Sequence, residues 1–311
     1  MSNEPLLSSS SSSIAVVTGA SSGIGYELTK QLVTKLNYTV YAAARRTGPI
    51  ETLRDELAEG AKDKVIPVKL DVSDLQSILD FKNQLNKELP GGQKKIDLLY
   101  NNAGQSCTFP ALDVTNESLE QVFKVNVFGP INLTRELSEF VINARGTIAF
   151  TGSLAGVCPF PFASCYSATK AAIHQYAHVL HLEMKPFGVR VLNVITGGVD
   201  TTIGDTRPLP PNSIYNFKQG IEAFKYRQEM SIQNKPMQPS VYVENVIKVL
   251  GDERKDPIDT YQGSKAWLMG WVYYLAPKWI FEWGLIIHFK LKPVFDVLSR
   301  RNGKEKCFKH N

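Results

Sequence analysis

From residue 14 to residue 195, short apolar runs alternate with longer amphipathic stretches. The short runs are continuous, as expected for strands buried on both faces, and lie at 14–17, 39–44, 65–70, 96–100, 146–151 and 189–195. The longer stretches carry apolar residues at helical spacing and lie at 24–36, 49–59, 75–89, 117–141 and 164–185. Parallel strands are joined by right-handed crossovers, so this alternation predicts an α/β fold with a doubly wound parallel sheet of the Rossmann type.

The alternation of strand and helix patterns stops after the sixth predicted strand. Residues 200–240 begin with a Pro-, Thr- and Asp-rich stretch, and we interpret them as a substrate loop, because ligands of such folds bind beyond the carboxyl ends of the strands. Helices are expected at 217–230 and 241–250, and a last strand at 257–261.

The chain is therefore predicted to form one domain with two flanking segments. The domain is expected over 14–262, after a disordered Ser-rich tail at 1–13. Residues 263–311 would form a C-terminal helical appendage with a basic tail.

Charge and metal-binding patterns narrow the classes of function. The net charge of +5 is too small to indicate a nucleic-acid partner. The four cysteines show no zinc spacing. His174 and His178 are one helical turn apart, but a packed helix face accounts for them, so we predict no metal.

A glycine-rich turn follows the first predicted strand and opens the first helix. Glycines allow a tight turn and a close approach of the backbone to a pyrophosphate, and the helix N-terminus supplies free N–H groups. This position between a strand and a helix predicts a dinucleotide site formed by Gly19, Ser21, Ser22, Gly23, Ile24 and Gly25.

The end of the second predicted strand indicates which dinucleotide binds. A site for NAD usually carries a carboxylate there, whereas a site for NADP carries arginine for the 2′-phosphate. Here the strand ends in Arg45 and Arg46. Two guanidinium groups can hold that phosphate, so we predict NADPH as the cofactor.

Tyr166 and Lys170 are four residues apart on a predicted helix, which places both side chains on one face. A neighbouring cation lowers the pKa of a phenol and makes it a better acid near neutral pH. This spacing is common, but here it accompanies the glycine-rich turn, the run Asn101-Asn102-Ala103-Gly104, Asn126 and Ser153. In this order the motifs resemble the short-chain dehydrogenase/reductase family over about residues 14–202.

The resemblance implies a role for each catalytic residue in reducing a carbonyl group. Tyr166 would protonate the developing alkoxide, and Ser153 would hold the substrate oxygen. Lys170 would bind the nicotinamide ribose and lower the pKa of Tyr166. Asn126 would position a water in a proton relay behind Lys170.

It also implies further contacts with the cofactor. Asp71 would bind the adenine edge, and Asn101 would support the sheet and the cofactor, next to Ala103 and Gly104. After the sixth strand the family's usual proline is replaced by Thr196. The contacts expected there involve Val199 and Thr201.

Some stretches resemble those of fungal members that reduce an acylated dihydroxyacetone phosphate to a lysophospholipid. They include 100–110, 174–187 and 195–198. In this interpretation Arg207 would meet the phosphate, and Phe160, Phe162, Phe217 and Phe224 would line an acyl channel. Each of these residues, taken singly, fits a surface arginine or a core aromatic equally well. A reductase of steroids, retinoids or other hydrophobic carbonyls remains the alternative.

The segment 266–289 is strongly apolar and contains all four tryptophans of the chain. Pro277, Lys278 and Glu282 interrupt it, so neither half reaches the ~20 apolar residues of a spanning helix. Tryptophan favours membrane interfaces. We expect peripheral or hairpin contact with the cytosolic face of the endoplasmic reticulum and with lipid droplets, although packing on the domain or in a homodimer stays open.

A second class of function uses the same glycines. Residues 19–23 also match G-x-S-x-G, which would make Ser21 the nucleophile of a lipase. The histidines considered as a base, His174, His178 and His181, lie on the helix that carries Tyr166, and no acid can be assigned. The dinucleotide turn therefore explains these residues better.

Overall fold

A computed structural model describes residues 13–89, 94–252, 255–301 and 303. Seven strands form one parallel sheet in the order β3-β2-β1-β4-β5-β6-β7. They are β1 (Ile14–Thr18), β2 (Thr39–Ala44), β3 (Val65–Lys69), β4 (Leu98–Asn101), β5 (Thr147–Thr151), β6 (Arg190–Thr196) and β7 (Asp259–Gln262). The predicted doubly wound α/β fold is confirmed.

Helices cover both faces of this sheet. Within the described residues they are α1 (Gly23–Leu36), α2 (Gly48–Glu56), α3 (Glu59–Lys62), α4 (Leu75–Glu88), α5 (Asn116–Phe123), α6 (Gly129–Ala144), α7 (Ser164–Met184), α8 (Lys218–Gln228), α9 (Met230–Gln233), α10 (Pro239–Gly251), α11 (Ala266–Leu275), α12 (Lys278–His288) and α13 (Leu291–Arg301). One core layer packs α4, α6 and α7 on the sheet, and the other packs α1 and α10.

The helix predicted at 117–141 differs from the expectation. It consists of α5 and α6 joined by a π-helical turn, Lys124–Phe128, which contains Asn126. Such turns insert a residue without breaking the helix and are frequent at functional sites. The continuous apolar spacing of this stretch gives no indication of the insertion.

The C-terminal helices pack on the domain. Ala266 of α11 and Phe281 of α12 join Leu154, Cys158 and Ile195 in one apolar cluster. Helix α13 packs against α8. No helix in the described part of the chain is both long and apolar enough to cross a bilayer. The predicted tail at 1–12 and the basic residues from 304 onward lie outside the described residues.

The glycine-rich turn is fixed by contacts between β1 and the loop after β4. Asn102 Nδ2 donates to the Thr18 carbonyl oxygen at 2.9 Å, and the Asn102 N–H donates to Thr18 Oγ1 at 3.0 Å. Gly25 packs into the same place, since a Cβ built on it would lie 2.4 Å from the Gly19 carbonyl oxygen. No side chain could enter there without moving the turn.

Replacing Gly25 by alanine should therefore destabilise the fold. We expect Gly25→Ala to lower the free energy of unfolding by about 1–3 kcal/mol, the usual cost of overpacking. Chemical denaturation with and without dinucleotide measures this change. The control is Gly60→Ala in α3, where an added Cβ has nothing within 4 Å. Equal stability of the two variants would contradict the role given to Gly25.

Candidate active site

A cavity of about 820 Å³ lies along the carboxyl ends of the strands, at β1 and β4, where the strand order reverses direction. This is the position at which doubly wound folds bind ligands. The sequence-predicted residues that line it are Gly19, Ser21, Ser22, Gly23, Ile24, Arg45, Arg46, Asp71, Ala103, Gly104, Ser153, Tyr166, Lys170, Val199 and Thr201. The structure thus brings together residues from distant parts of the chain.

One end of the cavity fits a dinucleotide. Gly19 and Gly23 have φ angles of 67° and 55°, which favour glycine, and a Cβ on Gly19 would lie 3.0 Å from Ala103 Cα. No side chain caps the N-terminus of α1 at Ser22, so its first N–H groups are available to an anion. Arg45 and Arg46 are exposed at the edge of the same end.

Three predicted site residues do not line the cavity. Gly25 supports the turn from beneath. Asn101 donates from Nδ2 to Thr134 Oγ1 at 3.2 Å, away from the cavity. The neighbouring Asn102 lines the cavity instead and accepts from Thr151 Oγ1 at 3.1 Å. The predicted contact of Asn101 with the cofactor stays a prediction.

Asn126, the third of these residues, holds two elements together. Its Oδ1 accepts from the Gln105 N–H at 2.8 Å, and its Nδ2 donates to the Gln105 carbonyl oxygen at 2.9 Å and to Thr169 Oγ1 at 3.0 Å. The π-helical turn aims this amide at the loop after β4. The predicted contact of Asn126 with a relay water stays a prediction.

Lys170 is a buried cation anchored to the end of a strand. Its Nζ donates to the Thr151 carbonyl oxygen at 2.8 Å and lies 5.8 Å from the centroid of the Tyr166 ring. Burial lowers the pKa of Lys170 to about 8, because the ammonium loses hydration. The side chain therefore remains mostly charged at neutral pH.

Tyr166 faces the cavity beside Ser153. Burial raises its pKa, while a hydrogen bond with Ser153 and the charge of Arg227 act in the opposite direction. The cation that lowers the pKa of Tyr166 is Arg227, whereas we expected Lys170 to do so. The site therefore holds a protonated phenol next to a hydroxyl group that can bind the same substrate oxygen.

Ser153 is positioned by a histidine that sequence reasoning did not assign to the site. His174 Nε2 accepts from the Ser153 N–H at 3.0 Å. Burial and the charge of Lys170 lower the pKa of His174 to about 4, so the ring is neutral and can accept. Gly152 and Gly156 enclose it, because a Cβ on either would lie within 2.7 Å of the ring.

The arrangement can deliver a proton to a carbonyl oxygen held beside a dinucleotide. A phenol, a hydroxyl and a buried ammonium line the same cavity as the two exposed arginines. The short chain dehydrogenase family model matches residues 13–209. The chain belongs to the short chain dehydrogenase family.

Similar proteins agree with this assignment. An NADPH-dependent 1-acyldihydroxyacetone phosphate reductase of Saccharomyces cerevisiae is 55% identical over 96% of this chain and 99% of its own. A protein of the same description from Schizosaccharomyces pombe is 32% identical over 74% of each. The crystal structure of a short-chain dehydrogenase from Streptomyces avermitilis, 28% identical, superposes with a TM-score of 0.75 over 94% of this chain and 99% of that one.

The pKa of Lys170 sets an expected pH dependence. The charged form predominates below about pH 8 and is lost as the pH rises through that value. Tyr166 stays protonated in this range because its pKa is raised. We expect kcat/KM for carbonyl reduction to be level below pH 8 and to fall about tenfold per pH unit above it.

Initial rates between pH 6 and about 10 test this expectation. Lys170→Arg is the matched variant, since a guanidinium keeps its charge over the range. Its profile should lack the alkaline decrease even if its rate is lower. A wild-type profile that stays level to the end of the range would contradict the role of the ammonium.

Proposed function

We propose that this chain reduces 1-acyldihydroxyacetone phosphate to 1-acylglycerol 3-phosphate with NADPH, in the synthesis of phospholipids and triacylglycerols. The observation that carries the proposal is the 55% identity over 96% of the chain to the Saccharomyces cerevisiae reductase. The cavity supports it independently, because a polar catalytic end continues into an apolar wall suited to an acyl chain.

The nucleotide end of the cavity accounts for NADPH. The turn at Gly19–Gly23 and the open N-terminus of α1 would hold the pyrophosphate. Arg45 and Arg46 would hold the 2′-phosphate, which NADH lacks. Asp71 lines the same end, where its Oδ1 accepts from the Ser73 N–H and hydroxyl. When bound, NADPH supplies the hydride for the ketone carbon.

The protein residues orient the ketone and provide the proton. Ser153, fixed by His174, would donate to the ketone oxygen. Tyr166 would transfer its proton to that oxygen as negative charge develops there, and the Lys170 ammonium would stabilise the resulting phenolate. The C-terminal helices close the site on one side and limit the access of water.

The acyl chain would lie along α11 and α12. Apolar side chains of these helices and of the turn between them line the cavity, namely Met269, Val272, Ala276, Ile280, Phe281 and Leu285. Of the four phenylalanines predicted for the channel, Phe160 lines it. Phe162, Phe217 and Phe224 pack around α8 and α13 instead.

Reduction of the ketone phosphate tests the function directly. NADPH oxidation by purified protein should be faster with an acylated dihydroxyacetone phosphate than with a steroid ketone or retinal. Tyr166→Phe should lower the rate by about 10³-fold, since it removes the general acid, and leave NADPH binding largely intact. Preference for the steroid or retinal would establish the alternative, and a near-wild-type rate in Tyr166→Phe would refute the mechanism.

The hydrolase alternative receives less support. Ser21 lies in the dinucleotide turn, and the three histidines considered as its base are engaged elsewhere: His174 with Ser153, His178 with Asp259 and His181 with Val191. Ester hydrolysis without NADPH that disappears in Ser21→Ala would revive it.

We further propose that α11 and α12 contact a lipid surface, which fits the cytosolic face of the endoplasmic reticulum and lipid droplets. The outer face of this helix pair exposes Trp267, Trp271, Trp279 and Trp283 by 64%, 48%, 62% and 56%. Val272 and Ile280 are each 40% exposed and also line the cavity. The mouth of the cavity therefore opens beside the tryptophans.

Replacing the four tryptophans by serine should release the protein from membranes, because these rings favour the interface. Co-sedimentation with phosphatidylcholine vesicles containing phosphatidylserine measures binding. The control replaces Leu112 and Leu182, which are 79% and 66% exposed on other parts of the surface, by serine. Deletion of the segment is less suitable, since α11 and α12 form the cavity wall. Equal binding of both variants would contradict this contact.

A further inference from the structure

Arg227 is a buried cation on the substrate side of the cavity. It lies on α8, is 8% exposed and lines the same cavity as Tyr166. Its Nε donates to the Pro161 carbonyl oxygen at 3.1 Å, and its guanidinium carbon lies 5.6 Å from the centroid of the Phe160 ring. These contacts fix the side chain while the terminal nitrogens remain available.

The positive charge of Arg227 has no acidic partner among the described residues. Burial lowers its pKa to about 10, and the group that acts in the opposite direction is the phenol of Tyr166. The guanidinium is thus charged at neutral pH. A buried charge without an ion pair is costly, so its presence in a cavity wall indicates an anion that binds there.

Other cations near the site are engaged or distant. Arg207, which the sequence suggested for the phosphate, pairs with both carboxylate oxygens of Asp205 at 3.0 and 2.7 Å and does not line the cavity. Lys265 also lines the cavity, but it is exposed to solvent and its Nζ donates to Asn234 Oδ1 at 2.7 Å. Arg45 and Arg46 follow β2, three strands from β5, or about 14 Å at the usual spacing.

We propose that Arg227 binds the phosphate group of the substrate. This inference rests on the proposed function, in which the phosphate is joined to the ketone carbon through one methylene and an ester oxygen. With the ketone oxygen on Tyr166 and Ser153, the phosphate must therefore lie close to the phenol. Arg227 is the cation whose charge reaches that position, and a guanidinium can bind a phosphate through two parallel hydrogen bonds.

This contact makes Arg227 a determinant of specificity. A ketone that lacks the phosphate leaves the guanidinium buried and unpaired, which penalises its binding. The phosphorylated substrate supplies the missing anion. The site therefore selects the phosphate ester over neutral ketones, including steroids and retinoids, that the apolar wall would also accept.

A comparison of two substrates tests the proposal. The kcat/KM of wild type, Arg227→Met and Arg227→Lys is measured with an acylated dihydroxyacetone phosphate and with the same acylated dihydroxyacetone without phosphate. We expect Arg227→Met to lose about 100-fold on the phosphate ester and to lose nothing on the neutral ketone, because the penalty of the unpaired guanidinium is removed with the side chain. Arg227→Lys keeps the charge and should restore part of the loss. Lys225→Met, which removes an exposed cation from the same helix but outside the cavity lining, should leave the ratio of the two substrates unchanged.

Each other outcome has a distinct meaning. A wild-type enzyme that prefers the phosphate ester, with the preference intact in Arg227→Met, overturns the role of Arg227 and leaves the proposed function standing. A wild type that reduces only the neutral ketone overturns the proposed function itself.

Equal losses on both substrates also overturn the proposal. With a shifted pH profile, they show that Arg227 acts through Tyr166. With a raised KM for NADPH, they show that it binds a cofactor phosphate. Circular dichroism of each variant distinguishes these results from a loss of folding. If Arg227→Met does not fold, the activities of Arg227→Lys on the two substrates test the role of Arg227 instead.

Discussion

The hydrogen bond from Lys170 Nζ to the Thr151 carbonyl oxygen, 2.8 Å long, links α7 to the end of β5. An ammonium taken out of water requires such an acceptor, and this carbonyl is available because β5 ends there. The bond fixes the rotation of α7 about its axis. Tyr166, one turn earlier on the same face, is thereby directed into the cavity beside Ser153. The catalytic geometry thus depends on a single buried charge.

Hydrogen bonds of Asn126 and Asn102 also stabilise this geometry. Asn126 ties Thr169 of α7 to Gln105 of the loop after β4, and Asn102 ties that loop to Thr18 of β1. The helix with the acid and the turn for the dinucleotide are therefore parts of one hydrogen-bonded unit. Hydrogen bonds through the loop after β4 thereby hold Tyr166 in position relative to the turn that would bind the dinucleotide.

The sequence predicts those features that depend on local chemistry. Continuous apolar runs locate the strands, and the spacing of Tyr166 and Lys170 places them on one helix face. Contacts between segments that are distant in the chain cannot be predicted in this way. Arg227 lies in a polar stretch of α8, and its burial comes from Phe160 and Pro161, far away in the chain. The choice between Asn101 and Asn102 likewise depends on which face of β4 meets the cavity.

Prediction from sequence has the same limit in the C-terminal segment. Its composition indicates a lipid-related role, because both α11 and α12 are apolar around most of their circumference. Composition cannot tell whether such a helix faces a core or a bilayer. The structure places Phe281 in the core while Trp279 and Trp283 remain exposed. The segment that forms α11 and α12 thus serves both as the wall of the cavity and as an apolar outer surface.

The charges in the cavity explain how a polar and an apolar ligand portion can share one site. Arg45 and Arg46 stand at one end, Lys170 in the middle and Arg227 on the substrate side. Asp205, which also lines the cavity, is neutralised by Arg207. Phosphate groups at both ends would offset these cations, and the acyl chain would occupy the region where charge is absent. A site of this polarity favours anionic ligands before any contact with the reacting ketone is made.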